Sequence, residues 1–289
     1  MSLDLLYDAL VSGVLLGCFY AAVSIGLSVA FGLVDVPHIA HPSFLILGGY
    51  ATFLLNQRGV DPILAGLILM PVFYVLGLLV YRFYHFSFER HGSDTAVRGL
   101  AFFFGLSFVV EAALIIVFGV DQYMVEAPYI GSSLAFGEMR IPLRMLVACG
   151  IGLVLTGGIT LYLSRTFTGR ALKAVAQDEG ALLLLGADPV KIKRTGFAIA
   201  TAVTAIAGAL LVVTGPIEPD LGRLYIGRTF CIVVLGGLGS MAGTLVAALI
   251  VGIAESLVLS SAGASWAAAV SFGLLLVILA FRPSGLFGR

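Results

Sequence analysis

The 289-residue chain carries 16 Lys and Arg against 16 Asp and Glu, so its net charge is zero; only 11% of its residues are charged and 60% are hydrophobic. A soluble globular domain has about 25% charged residues, and this composition excludes one. The zero net charge also gives no electrostatic basis for binding nucleic acid. With a mean hydropathy of +1.09, the sequence indicates an all-α, polytopic membrane protein that forms a single transmembrane domain over residues 1–289.

Uncharged apolar runs recur along the chain, and about 20 apolar residues are enough to cross a bilayer as a helix. The first run is followed by the segment VDVPHIAHPSF, in which Pro37 and Pro42 forbid a continuous helix. We expect Ser43 to begin the second helix. In total the sequence predicts about eight transmembrane helices, at residues 9–34, 43–57, 62–81, 99–119, 142–164, 195–217, 229–254 and 262–281.

The seventh predicted helix is interrupted by LGGLGSMAG, residues 235–243. Four glycines in nine residues weaken a helix, so we expect two half-helices that meet within the membrane. Non-helical backbone is tolerated at membrane depth only where protein or a water-filled cavity surrounds it. Together with the proline-interrupted segment, this gives one broken or re-entrant segment in each half of the chain. Paired broken helices of this kind indicate a transport site near mid-membrane.

Residues 165–194 form the one long polar interruption. Basic loops beside membrane spans stay in the cytoplasm, so this loop is predicted to be cytoplasmic, as are residues 82–98 and the C-terminal tail RPSGLFGR. Inside the loop lies the apolar patch GALLLLG, and Pro189 is placed to begin the helix that follows it. An exposed apolar patch indicates a partner surface, so we interpret the segment as a docking loop for a soluble protein. Simple binding of lipid headgroups is the alternative. The six basic residues of the segment are Arg165, Arg170, Lys173, Lys191, Lys193 and Arg194.

Polar residues inside the apolar runs are candidates for a transport path. His38 and His41 can either hydrogen-bond backbone groups freed by the break or line the path; no carboxylate or cysteine completes a metal set with them. Glu111 and Glu255 are carboxylates embedded in apolar sequence, where such groups are functional candidates by default. For Glu111 we favour a structural hydrogen bond between helices over a proton relay. Glu255 lies at the end of its run and is expected to reach the membrane interface.

The chain lacks the motifs of an enzyme. No GxxxxGK[ST] motif is present, so no nucleotide hydrolysis by a P-loop is expected. The sequence around Ser240 departs from a nucleophile elbow, because Leu238 occupies the position of the first glycine. Cys18, Cys149 and Cys231 lie apart in apolar runs with neither disulfide nor zinc spacing. We therefore expect no catalytic residue, no metal site and no cofactor on this chain.

Three stretches, in this order over nearly the whole chain, resemble the LivH-type permease subunits of branched-chain amino-acid ABC importers. They are HIAHPSFLILGGY, GRALKAVAQDEGALLLLGADPVKIKRTGFAIATAVTAIAGALL and VLGGLGSMAGTLVAALIVGIAESL. The usual Asn-Phe-Ala-His-Gly of that family reads His-Ile-Ala-His-Pro at residues 38–42, which leaves the substrate open. Of the Glu-Ala-Ala-x-x-x-Gly pattern of related coupling helices, only Glu179, Ala181 and Gly186 are retained.

The resemblance implies a multi-pass permease of the bacterial inner membrane that forms the path for branched-chain amino acids or a related small polar solute; urea, short amides and aromatic acids remain open. Its implied partners are a homologous second permease, two cytoplasmic ABC ATPases that bind the ATP, and a periplasmic substrate-binding protein, besides membrane lipid. The residues predicted to line or hinge the path are His38, His41, Ser43, Gly236, Gly237, Gly239 and Ser240. The residues predicted to couple to the ATPases are Asp178, Glu179, Gly180, Leu183, Leu184, Gly186 and Asp188. A stand-alone proton-coupled secondary transporter, with Glu111 as its relay, is the alternative.

Overall fold

The computed structural model describes residues 3–89, 95–136 and 139–288. Within these ranges the chain forms eleven α-helices and one antiparallel β-hairpin, in which β1 (Ser133–Phe136) pairs with β2 (Met139–Pro142). The helices are α1 (Leu3–Gly32), α2 (His41–Asn56), α3 (Pro62–Ser87), α4 (Thr95–Phe118), α5 (Leu143–Arg165), α6 (Phe167–Val175), α7 (Glu179–Leu184), α8 (Pro189–Thr214), α9 (Gly222–Gly236), α10 (Met241–Ser261) and α11 (Ala264–Phe281).

Six helices of the described ranges are long and apolar enough to cross a membrane, namely α1, α3, α4, α5, α8 and α10. The shorter helices α2, α9 and α11 contain 16, 15 and 18 residues. The prediction of an all-α, polytopic membrane protein is confirmed.

The second half of the chain departs from the prediction in two places. Residues 229–254 are not one span made of two half-helices: α9 ends at Gly236, and α10 is a complete 21-residue helix because its apolar sequence continues beyond the predicted end. Residues 222–228, expected in an outer loop, form the first turns of α9. Their two arginines, Arg223 and Arg228, pair with carboxylates of other helices and so do not mark a loop.

Smaller differences concern element boundaries. α2 begins at His41, two residues before the predicted Ser43, because a proline is tolerated in the first turn of a helix. α3 continues to Ser87, past its predicted end. The segment 120–142, expected to be a loop, contains the β-hairpin. Residues 90–94 of the predicted basic segment lie outside the described residues.

The helices run between two ends of the bundle. The α6–α7 end carries those two short helices, and the opposite end carries an antiparallel bridge between Tyr123 and Ile217, which follows α8. At the α6–α7 end, the backbone N–H of Leu286 in the C-terminal tail donates to the carbonyl of Leu235 at 2.9 Å. α9 and α10 are therefore separate passes. The tail and residues 165–194 lie at the same end, and this answers the crossing question that the sequence left open.

α8 is the central helix, and every residue of its apolar window is buried. It packs against α1, α2 and α3. Its many Ala, Gly and Thr residues permit this close approach: a Cβ on Gly208 would collide with the carbonyl oxygen of Leu45 in α2. α3 has the opposite character, because Leu64, Ile68 and Leu79 project away from the bundle as an exposed apolar stripe. Such a stripe suits contact with lipid.

Candidate functional site

The first backbone break lies within the bundle. α1 ends at Gly32, and α2 begins at His41, whose ring lies beside Val23 in the middle of α1. At 1.5 Å per residue, Val23 is roughly 14 Å from the end of α1. Residues 33–40 therefore lead back into the bundle as non-helical chain, with Asp35 in the left-handed region at a φ of 57°. Asp tolerates this conformation better than most residues.

His41 connects the start of α2 to α1. Its Nε2 lies 2.9 Å from the carbonyl oxygen of Val23, so an Nε2–H donates to that carbonyl. Gly26 makes room for the ring, because a Cβ there would lie 2.8 Å from the imidazole Cε1. This is a structural role, the first of the two alternatives considered for the histidine pair. Ser43, two residues on, is partly exposed in the first turn of α2.

His38 has a different environment. It is completely buried, and neither ring nitrogen has a hydrogen-bond partner. Three aromatic rings surround it, with centroid distances of 4.6 Å to Phe197, 5.0 Å to Phe103 and 5.4 Å to Phe44. A buried polar group without a partner is costly. His38 therefore has unused hydrogen-bonding capacity inside the bundle.

A cavity of about 470 Å³ borders His38. Its walls come from the end of α1, the first break, the start of α4 and the middle of α9, and they include Leu27, Phe31, Leu100 and Phe230. The imidazole is thus a single unpartnered polar group at the edge of an otherwise greasy space. This combination suits a small solute with an apolar body and a polar group.

The second break is a glycine turn of residues 236–240 between α9 and α10. Gly237 and Gly239 have φ values of 93° and 79°, a region that favours glycine. Ser240 caps α10, its Oγ accepting from the backbone N–H of Gly243 at 3.1 Å. The turn packs against the end of α1, since a Cβ on Gly32 would collide with the backbone of Gly239. The structure thus brings the two predicted breaks together.

The coupling segment, residues 165–194, folds into α6, α7 and the start of α8. The side chain of Asp178 caps α7 by accepting from the N–H of Ala181 at 3.0 Å, and Asp188 caps α8 by accepting from Lys191 N–H at 3.2 Å. The backbone N–H of Lys191 holds the pKa of the Asp188 carboxyl below its ordinary value. Gly186, at a φ of 77°, ends α7 in the left-handed conformation common at helix C-termini.

The leucines of the coupling segment project outward. The exposed fractions of Leu183, Leu184 and Leu185 are 62%, 90% and 82%. α7 has no buried residue, and Glu179 and Gly180 in its first turn are exposed as well. We call the three leucines the leucine knuckle.

A second cavity, of about 420 Å³, joins the coupling segment to both breaks. Asp178 and Glu179 line one side of it, Asp35 of the first break another, and Leu238 of the glycine turn a third. The predicted coupling residues and the predicted hinge therefore face one space. His38 and His41 lie deeper in the bundle, on the other side of Phe31, which borders both cavities.

Glu255, which was expected to reach the interface, is buried and only 3% exposed. Its carboxylate accepts from Tyr20 Oη at 2.7 Å, Arg228 Nε at 3.0 Å and Ser271 Oγ at 2.5 Å. The guanidinium of Arg228 lies over the rings of Tyr20 and Tyr225, 5.0 and 5.4 Å from their centroids. The expectation was wrong because these donors, from three other helices, satisfy the charge inside the bundle. Neutral residues in the sequence around Arg228 and its distance along the chain gave no sign of this pairing.

Glu111 makes the structural contact that was favoured for it. Arg223 Nε lies 3.3 Å from Oε2 and Nη2 lies 2.5 Å from Oε1, which joins α9 to α4. A third ion-pair cluster was missed altogether: Lys193, counted in the sequence as a loop cation, is only 7% exposed and contacts Glu89 and Glu179.

Among the described residues, no group of three or more His, Cys, Asp or Glu side chains could hold a metal ion. The three cysteines are free thiols; Cys18 and Cys231 are buried, as expected of packing residues.

Broken helices at membrane depth, a polar group beside an apolar cavity and an exposed docking helix define a transmembrane permease. The sequence matches the family described as "Branched-chain amino acid transport system / permease component" over residues 9–279, and the chain belongs to that family. It is a multi-pass protein of the bacterial inner membrane and a component of a transport system.

Relatives of the same length cover nearly the whole chain. The high-affinity branched-chain amino acid permease protein BraD of Pseudomonas aeruginosa is 29% identical over 97% of this chain and 95% of its own. The LivH protein of Escherichia coli K12 is 27% identical over 100% and 98%. Its LivM protein is also 27% identical, over 92% of this chain and 67% of its own. A solved structure, "PsaBC from Streptococcus pneumoniae in complex with Fab", covers 96% of this chain and 92% of its own, with 14% identity and a TM-score of 0.45.

Proposed function

We propose that this permease carries branched-chain aliphatic amino acids as part of an ABC importer. In this proposal ABC ATPases bind the coupling segment, so that the α6–α7 end and the C-terminal tail face the cytoplasm. A second, homologous permease completes the path, and a periplasmic binding protein delivers the solute to the opposite end. The leucine knuckle carries the proposal, because three exposed leucines on a helix without buried residues need a partner to cover them.

The proposed mechanism uses the space between the coupling segment and the breaks. ATP-driven closure of the ATPases displaces α7 through the leucine knuckle. The cavity bordered by Glu179, Asp35 and Leu238 allows α7 to move toward the end of α1 and the glycine turn. Because backbone at both breaks is already non-helical, α2, α9 and α10 can tilt without losing helical hydrogen bonds. The path residues would be His38, His41, Ser43, Gly236, Gly237, Gly239 and Ser240.

The chemistry of the larger cavity favours an aliphatic solute. A branched-chain side chain gains free energy by leaving water for apolar walls, and the imidazole of His38 offers a hydrogen bond to the polar end of such a solute. Urea consists almost entirely of hydrogen-bonding groups, most of which would stay unsatisfied against Leu27, Phe31 and Phe230. Uptake of labelled leucine should therefore exceed that of urea in vesicles that contain the complete assembly.

Substitution of the leucine knuckle tests the docking. Leu183→Asp combined with Leu184→Asp should abolish co-purification of the ATPases while the permease stays in the membrane, because two charges cannot be buried in an apolar contact. Leu224→Asp, a change of the same kind at a 67% exposed residue of α9, is the matched control and should retain the ATPases. Undiminished ATPase yield with the double variant would refute the proposal.

A stand-alone proton-coupled transporter remains the second candidate. It requires Glu111 to exchange protons, whereas this carboxylate is paired with Arg223. Glu111→Gln should weaken the contact between α4 and α9 without changing the driving force. Loss of proton-dependent uptake in this variant, or uphill accumulation of solute by vesicles that contain this chain alone, would establish the second candidate instead.

A further inference from the structure

We infer that Lys193 is a positioning residue that transmits displacement of α7 to the core of the bundle. This inference rests on the proposed function, since it assumes that ATPases act on α7. It assigns to Lys193, a residue of the first turns of α8, the step between the docking surface and the transport path.

Lys193 joins three elements. Its Nζ contacts Glu179 in the first turn of α7, and it lies 3.5 Å from Oε1 of Glu89, just beyond the end of α3. Glu89 is itself held in place, because its Oε2 accepts from Tyr81 Oη at 3.0 Å and lies 2.6 Å from His85 Nδ1. The ammonium group is thus fixed on one side to α3, while its other partner belongs to the docking helix.

α7 has few other ways to pass on a movement. None of its residues is buried, so apolar packing cannot grip it. Its main contacts are with the neighbouring α6 and with α8. A buried, poorly screened charge pair is strong compared with an exposed one, and Lys193 lies almost entirely out of solvent. Displacement of α7 therefore pulls on Lys193 through Glu179.

The contacts continue from Lys193 to the candidate path. Glu89 bonds to Tyr81, whose ring lies 5.8 Å from that of Phe197 in α8. Phe197 is in turn the nearest aromatic neighbour of His38, at 4.6 Å. The cavity of about 420 Å³ beside Lys193 gives this cluster room for a second arrangement. Packed side chains with two discrete arrangements can couple distant sites.

The experiment uses the complete assembly of this chain, its second permease, the ATPases and the binding protein, reconstituted in proteoliposomes. Lys193→Met removes the charge but keeps much of the side-chain length. It should lower leucine uptake per ATP hydrolysed by about fivefold or more, the lower end of typical coupling between sites, while the ATPases still co-purify. Lys193→Arg should restore most of the ratio. Lys191→Met is the matched control, because Lys191 pairs only with the capping Asp188 on the exposed surface, and it should leave the ratio unchanged.

A second variant guards against misfolding. Glu89→Gln keeps hydrogen-bonding atoms for Tyr81 and His85 but loses the attraction to Lys193, and it should lower the same ratio. Combining it with Lys193→Met should cause no further loss, because both changes break one link. The inference is overturned if Lys193→Met leaves uptake per ATP unchanged, if the two losses multiply, or if Lys193→Met releases the ATPases. If the unmodified chain fails to retain ATPases, the proposed function fails instead.

Discussion

Replacing Arg228 by Met would leave the buried carboxylate of Glu255 without its cation. Breaking a buried ion pair by removing one partner costs about 3–5 kcal/mol, because the remaining charge is uncompensated. Here the hydroxyls of Tyr20 and Ser271 still donate to the carboxylate, at 2.7 and 2.5 Å. We therefore expect a loss of about 3 kcal/mol in the free energy of unfolding, at the lower end of that range.

The sharper prediction concerns the double variant. Glu255→Gln alone leaves Arg228 over the rings of Tyr20 and Tyr225 and partly exposed, so it should cost less than Arg228→Met. Arg228→Met combined with Glu255→Gln removes both charges and keeps an acceptor for Tyr20 and Ser271. Because two well-packed neutral groups can replace a buried ion pair at little cost, the double variant should be more stable than Arg228→Met alone.

Thermal unfolding of the purified protein in detergent measures these differences. A change of 1 kcal/mol shifts the melting temperature of a protein of 150–250 residues by about 2–4 °C, so Arg228→Met should lower it by roughly 6–12 °C. Arg223→Met is the control, because its guanidinium is 65% exposed and solvent weakens its pair with Glu111; its shift should be far smaller. A double variant no more stable than Arg228→Met would refute the reasoning.

Two further predictions concern the path. Gly237→Ala places a Cβ at a φ of 93° and against the backbone of Gly288 in the tail, so it should cost about 1–3 kcal/mol; Gly157→Ala, in open space on α5, should not destabilise, and equal melting temperatures for the two variants would contradict the strain. His38→Phe keeps the aromatic packing and removes two unpartnered nitrogens, so the melting temperature should stay the same or rise while leucine uptake falls several-fold; unchanged uptake would remove His38 from the path.

The features that the sequence predicted are those that depend on local backbone chemistry. Proline at two nearby positions and glycine at four others prevent regular helix whatever surrounds them, so both breaks could be placed. Asp188 followed by Pro189 is a local helix start, and α8 begins there. The leucine knuckle could be identified because four leucines between two glycines in a charged loop have no helical neighbour in sequence to cover them.

The features that the sequence did not predict depend on partners far along the chain. Arg228 and Glu255 look like an outer-loop cation and an interfacial carboxylate until folding places them 3.0 Å apart. Lys193 likewise counts as one of six loop cations, although its partner Glu89 lies on the preceding half of the bundle. Charge in a membrane sequence marks the interface only when it has no partner, and pairing is decided by packing.

The position of the glycine turn gives these buried pairs a mechanical meaning. The turn is fastened to the tail by two backbone hydrogen bonds, from Leu286 N–H to Leu235 and from Phe287 N–H to Gly236, at 2.9 and 3.2 Å. By contrast, α9 is fixed to its neighbours by the ion pairs of Arg223 and Arg228. A displacement that starts at α7 therefore meets a turn held by a few hydrogen bonds and a helix held by charges. The turn should yield first, and α9 should move with α4 and α10 as one body.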